Sequence, residues 1–190
     1  LRAQLEQEGH DFKTTSDTEV VLYAFMTWGP KCVEKFNGMF AFALWNENTE
    51  QLFLFRDRLG IKPLFYAWDD ETFYFSSELK AIAPYIDRTK WDEKAIQHYF
   101  RLGYIPSPHT IYAAVRKLEE GSYLQLDKAE LTIHKYWILE EKVSKSTLTN
   151  ESEAKKLYHK LLKESVKSRL QSDVPFGVFL SGGIDSSAIA

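Results

Sequence analysis

The chain has 190 residues, of which 44% are hydrophobic, 15% aromatic and 27% charged, with a formal net charge of -3. This supports one domain or one and a half with a sizeable core, and the mild acidity argues against a sequence-independent nucleic-acid binder, which would be basic. No apolar run approaches the roughly 18 residues of a membrane span, and a single cysteine, Cys32, excludes a disulfide framework and a Cys-based zinc site and favours a cytoplasmic setting.

Leu1 to Gly9 reads as a helix without an initiator Met or signal peptide, so both ends are expected to be cut from a longer protein. Ser16-Asp17-Thr18-Glu19 fits a capping box, with Ser16 as N-cap and Glu19 at N3. The helix it opens runs through Val20, Val21, Ala24 and Phe25 and stops near Gly29-Pro30. A short helix around Lys31 to Lys35 precedes the β signals. Met39 to Trp45 is too apolar for an edge strand and reads as buried on both faces. Asn46 to Glu50 is a hairpin turn, and Gln51 to Arg56 is the returning strand. Leu64 to Trp68 and Thr72 to Ser76 form a second pair around Asp69-Asp70-Glu71. Glu78 begins a short helix, and Asp92 caps another that runs to Arg101. An extended loop with two prolines, Tyr104 to Thr110, leads toward strands at Ser122 to Leu126 and Leu131 to Trp137.

Composition then shifts. Glu140 to Asn150 is polar, lacks aromatic residues and reads as an interdomain linker. Asn150 with Glu153 caps a helix from Glu151 to Leu170, whose Ala154, Leu157, Tyr158, Leu161, Leu162 and Val166 recur at helical spacing. Val174 to Leu180 reads as the first strand of a new α/β unit. It runs into Ser181-Gly182-Gly183-Ile184-Asp185-Ser186-Ser187.

That strand, glycine turn and helix start have the layout of an anion cradle, in which backbone amides and a helix N-terminus meet phosphate oxygens. It is neither a Walker A loop nor G-x-G-x-x-G. The hydroxyls of Ser181, Ser186 and Ser187 suit a pyrophosphate, and Asp185 suits Mg2+, which takes oxygen ligands. The bland alternative is a glycine turn with a polar cap. Arg56 to Leu64 sets four charged residues, a Gly and a Pro between two buried strands and is either a solvated turn or something more specific. Asp17, in the first turn of its helix, favours the helix dipole and can also pair with a ligand ammonium group. Cys32 has no His or Asn near it in sequence and reads as a helix cysteine, not a nucleophile. The five histidines lack metal-ligand spacing.

Phe36 to Trp45, the Arg56 to Leu64 loop and Ser77-Glu78-Leu79-Lys80-Ala81 resemble class II (Ntn-type) glutamine amidotransferases. Ser172 to Gly177, followed by Leu180 to Ser187, resembles the PP-loop of glutamine-hydrolysing asparagine synthetases of the B type, and the two blocks in this order single out that family. The fold the resemblance implies is α+β. An incomplete Ntn-hydrolase-type αββα sandwich of antiparallel sheets occupies 1–139, a linker 140–150, and the first helix and strand of an α/β PP-loop domain of the adenine-nucleotide α-hydrolase type 151–190. The implied reaction turns aspartate, glutamine, ATP and water into asparagine, glutamate, AMP and pyrophosphate. The cofactors are ATP and Mg2+, and the partners are these small molecules, without nucleic acid or membrane and compatible with a homodimer. The resemblance carries glutamine binding onto Asp17. It carries ATP binding onto Leu180, Ser181, Gly182, Gly183, Asp185 and Ser186, with Asp185 as the Mg2+ ligand. The family's nucleophile is an N-terminal cysteine, expected upstream of Leu1, so none of the 190 residues is its counterpart. Two alternatives stay open: another amidotransferase of the same build, such as a β-lactam synthetase or an enzyme amidating a surface sugar or peptide, and a degenerate binding module. Residues 1–190 alone are therefore expected to release no ammonia from glutamine; turnover in a coupled ammonia assay contradicts this reading.

Overall fold

The computed structural model describes all residues except 70, 144–147, 171 and 173. Parts of three sequence expectations, the turn at Asp69-Asp70-Glu71, the linker and Ser172 to Gly177, lie outside the described residues. The chain forms two compact units, Leu1–Glu141 and Lys142–Ala190.

In the first unit, α1 (Arg2–Gln7) and α2 (Asp17–Trp28) precede a 3-10 helix at Gly29–Lys35. Among the described residues seven strands follow: β1 (Ala41–Asn46), β2 (Gln51–Arg56), β3 (Phe65–Trp68), β4 (Phe73–Ser76), β5 (Val115–Lys117), β6 (Ser122–Asp127) and β7 (Glu130–Lys135). They build two antiparallel sheets, ordered β1-β2-β6-β7 and β4-β3-β5. Between β4 and β5 lie α3 (Leu79–Ile82) and α4 (Glu93–Leu102).

Strand alternation sorts the side chains into four layers. Phe53 and Phe55 of β2, Phe42 and Leu44 of β1 and Tyr123 of β6 pack with Leu5, Ala24, Cys32 and Val33 of the helical layer. Their neighbours Leu52, Leu54, Leu124 and Leu126 point the other way and meet Tyr66 and Phe73 of the second sheet and Leu64 just before β3. The far face of that sheet, Phe65, Ala67 and Val115, packs on Leu79 and Ile82 of α3. The order is helix, sheet, sheet, helix: the α+β, αββα sandwich. Rings fix the first interface, with Phe42 stacked on Phe55 at 4.7 Å and Phe25 edge-on to Phe53 at 5.0 Å.

At the end of β2, Arg56 and Asp57 are adjacent, and alternation sends their side chains in opposite directions. Both are buried. The Arg56 guanidinium donates to the carbonyls of Lys62 (3.0 Å), Gly60 (2.8 Å) and Leu118 (2.6 Å). The Asp57 carboxylate accepts from the N–H groups of Leu59 (3.2 Å), Ile61 (3.0 Å), Lys62 (2.9 Å) and Phe40 (3.2 Å). The loop is therefore not a solvated turn. Its backbone closes on two buried charges, each satisfied by several dipoles, as burial of charge requires. Burial lowers the Arg56 pKa, and the nearby Glu120 and Asp57 carboxylates partly offset it. Gly60 has φ 62, and a Cβ there would lie 2.9 Å from the Arg56 guanidinium carbon, so both conformation and space require glycine.

Three expectations are corrected. Met39 to Trp45 is not enclosed: both faces of β1 are partly covered, but the strand lies at the edge of its sheet, with Ala43 and Trp45 exposed. The capping box is incomplete. Ser16 Oγ does accept from Thr18 N–H at 3.2 Å, but Glu19 turns away to the preceding loop, accepting from the N–H groups of Lys13 and Thr14, each at 2.8 Å. Those bonds lower the Glu19 pKa, the Lys13 backbone bond most. In the second unit, α6 (Glu151–Arg169) forms with Asn150 as cap, after the short α5 (Leu139–Lys142). Val174 to Leu180 forms no strand, because among the described residues no neighbour supplies the ladder bonds that a strand needs.

Asp57→Ala leaves four backbone donors without their shared acceptor, so a loss of about 3–5 kcal/mol is expected in urea unfolding of the chain. A loss below about 1 kcal/mol, the size of an ordinary surface substitution, contradicts the buried network.

Candidate functional site

Asp17 occupies the first turn of α2, and among the described residues its exposed carboxylate enters no hydrogen bond or ion pair. It stands at a cleft of about 770 Å³, shared with Thr18 and Leu22 of α2, residues 39–45 at and before β1, Lys62 and Ser77. Asp57 sets two walls of this cleft together, since its carboxylate holds the N–H groups of both Phe40 and Lys62. The cleft thus offers the Asp17 carboxylate, one exposed amine (Lys62), two hydroxyls (Thr18 and Ser77) and an apolar strand. An ammonium-bearing ligand finds its counter-charge at Asp17.

Cys32 is fully buried in the helix-facing core. Burial pushes its thiol pKa up to about 12, so it is neither accessible nor ionised at neutral pH and cannot act as the nucleophile. Among the described residues, no group of three or more His, Cys, Asp or Glu side chains is placed to hold a metal.

In the second unit, Gly182 adopts φ 78, a conformation that favours glycine, and α7 (Ile184–Ile189) follows with Gly183 as its N-cap. Ser181 Oγ and Ser186 Oγ lie 2.9 Å apart, Ser186 Oγ donates to Gly183 C=O at 3.0 Å, and Gly183 N–H donates to Ser181 Oγ at 3.4 Å. The two serines thus close the glycine turn on itself. Leu180, Ser181, Gly182, Gly183 and Asp185 are exposed. The loop brings hydroxyls, an amide and one carboxylate to a single turn. One carboxylate suits Mg2+, which is commonly bound by one or two carboxylates plus substrate phosphates and water.

Sequence reasoning picked out Asp17 and the glycine loop but not the walls of the Asp17 cleft. Lys62 was hidden in the Arg56 to Leu64 motif, whose four charged residues had no visible partners. Ser77 carried no signal beyond its place at the end of β4. β5, three residues long, was too short for a period-2 pattern to register.

A family profile described as "Glutamine amidotransferase domain" matches residues 1–137, and one described as "Asparagine synthase" matches residues 157–190. Asparagine synthetase [glutamine-hydrolyzing] 3 of Bacillus subtilis is 40% identical over all of this chain and 31% of its own length. Amidase chry2 of Gibberella zeae is 34% identical over all of this chain and 28% of its own length. Among solved structures, a glutamine phosphoribosylpyrophosphate amidotransferase from B. subtilis is similar with a TM-score of 0.49 and 20% identity, over 72% of this chain and 26% of that one. The chain spans about a third or less of the length of these curated relatives. With a match over residues 1–137 in the unit that holds Asp17, the chain belongs to the glutamine amidotransferase domain family and continues into sequence that matches asparagine synthase.

Proposed function

We propose that the parent protein makes an amide by coupling glutamine hydrolysis to ATP cleavage, with aspartate as acceptor. The products are asparagine, glutamate, AMP and pyrophosphate. The observation that carries this reading is the order of the two family matches in one chain, ammonia release first and ATP chemistry second. In this reading residues 1–139 are the glutaminase domain, 140–150 the linker and 151–190 the start of the synthetase domain.

Asp17 pairs with the α-ammonium group of glutamine and fixes the orientation of the bound amino acid. The family's nucleophile is an N-terminal cysteine whose thiol attacks the side-chain amide carbon. Ammonia leaves, and water then cleaves the thioester to glutamate. At the other site a carboxylate oxygen of aspartate attacks the α-phosphorus of ATP, and the bond to the bridging oxygen of pyrophosphate breaks. Ammonia then attacks the acyl carbon, and AMP departs with the carboxylate oxygen. Leu180 contacts ATP. Backbone amides at Gly182 and Gly183, with the Ser181 and Ser186 hydroxyls, are donors for the departing pyrophosphate, stabilisation that counts most where charge develops. Asp185 would hold Mg2+, which would supply neutralisation of phosphate charge. Small-molecule partners, a cytoplasmic setting and a homodimeric parent complete the reading.

In a second reading the acceptor is a different carboxylate; a relative similar over all of this chain is named an amidase and not an asparagine synthetase. Supplying the full-length protein with aspartate and with other carboxylates separates the two by which one drives pyrophosphate release. For Asp17, the Asp17→Asn substitution in the full-length protein should lower kcat/KM for glutamine on the order of 100-fold, the worth of one charge-assisted contact. Synthesis from added ammonium salt should be retained. Equal losses with both nitrogen sources contradict the assignment.

A further inference from the structure

α2 presents two stripes of side chains. Asp17, Thr18, Val21 and Leu22 line the cleft and share one helix face. Glu19, Tyr23 and Thr27, each four residues apart, form a second stripe that holds the preceding loop. Thr27 Oγ1 lies 2.7 Å from His10 Nε2, and the Tyr23 hydroxyl donates to Asp11 C=O at 3.2 Å. Glu19 accepts from the N–H groups of Lys13 and Thr14, each at 2.8 Å. Residues four apart on a helix are neighbours on its surface. The loop therefore runs back along α2, tied at each turn, and delivers the chain to Asp17.

Thr14, Ser16 and Asp17 are exposed, so packing does not set their positions. Among the described residues the Asp17 carboxylate enters no hydrogen bond or ion pair, so its place depends on the backbone that carries it. That backbone is held through one hydroxyl. Thr14 Oγ1 donates to Glu19 Oε2 at 2.6 Å and accepts from Ser16 N–H at 3.2 Å. The first of these has the short length of a charge-assisted bond. A threonine hydroxyl has one proton and two lone pairs, so the bond to Glu19 fixes the proton and leaves the lone pairs for Ser16. Ser16 Oγ in turn caps the helix at Thr18 N–H. On its other side, the Ser16 carbonyl takes a longer bond from Arg2, at 3.4 Å.

We propose that Thr14 is a positioning residue for glutamine: its hydroxyl passes the Glu19 anchor on to Ser16 and so sets Asp17 against the ammonium group of the ligand. The inference rests on the assignment of Asp17 to that ammonium group, and it adds a residue that touches no ligand itself. A binding group displaced by on the order of 1 Å is enough to be felt in the kinetics. Removing the Thr14 hydroxyl frees a Ser16 N–H that water can satisfy, because the segment is exposed. The cost therefore falls on the placement of Asp17 and not on folding.

Steady-state kinetics of the full-length protein test it with two substitutions. Thr14→Val keeps the β-branched shape and removes the hydroxyl; Thr14→Ser keeps the hydroxyl. Thr14→Val should raise KM for glutamine about 10-fold, the worth of one charge-assisted bond, with kcat within about 2-fold and synthesis from added ammonium salt retained. Thr14→Ser should hold KM within about 2-fold of the unaltered protein. In an Asp17→Asn background Thr14→Val should change KM by less than about 2-fold, because the contact it positions is already lost. An unchanged KM in Thr14→Val, an equal loss with ammonium salt, a Thr14→Ser protein as impaired as Thr14→Val, or the full effect in the Asp17→Asn background overturns the proposal and leaves Asp17 as the ammonium partner. An Asp17→Asn protein with ordinary kcat/KM for glutamine overturns both.

Discussion

Two buried charges at the end of β2 organise the first unit. Arg56 and Asp57 are neighbours in sequence, and strand alternation turns them to opposite sides. The guanidinium gathers carbonyls from Gly60, Lys62 and Leu118, which joins the loop to the segment leading out of β5. The carboxylate gathers N–H groups from the same loop and from Phe40, which joins it to the start of β1. Tyr136 adds a bond from its hydroxyl to the Arg56 carbonyl at 2.8 Å, reaching back from just beyond β7. A charge buried with this many dipoles is costly to expose and costly to leave half-satisfied. The arrangement therefore acts as one unit.

The functional consequence is positional. The cleft beside Asp17 is walled by elements distant in sequence: the start of α2, β1, Lys62 and Ser77. Asp57 bonds to two of these walls, at Phe40 and Lys62. Asp17 itself is placed differently, by Ser16 capping α2 and by Glu19 holding the loop at Lys13 and Thr14. The carboxylate offered to a ligand is thus set by local helix chemistry, while the surface opposite it depends on the long-range Arg56–Asp57 network.

Much of this was legible in the sequence. Alternating aromatics placed β1 to β4, a polar turn placed the first hairpin, and Asp92 and Asn150 marked helix starts where each in fact accepts two N–H groups. What failed to read out depends on partners far along the chain. Met39 to Trp45 looks enclosed because its composition records both faces, whereas enclosure of a strand also needs lateral neighbours, which composition does not encode. Val174 to Leu180 has a strand's residues but no ladder partner among the described residues. Glu19 sits where a capping box would use it, yet two loop N–H groups outcompete the reciprocal bond. The Arg56 to Leu64 loop shows the same limit: its charges resemble solvated ones until the carbonyls that surround them are known.

The central claim is that this loop is a buried, charge-centred frame. Hydrogen exchange at the Leu59, Ile61 and Lys62 amides addresses it most directly, because each is bonded to the Asp57 carboxylate. The account predicts that the three exchange as slowly as the β2 core amides and are released together in Asp57→Asn. Rapid exchange of these amides in the unaltered chain, as in a solvated turn, would contradict it.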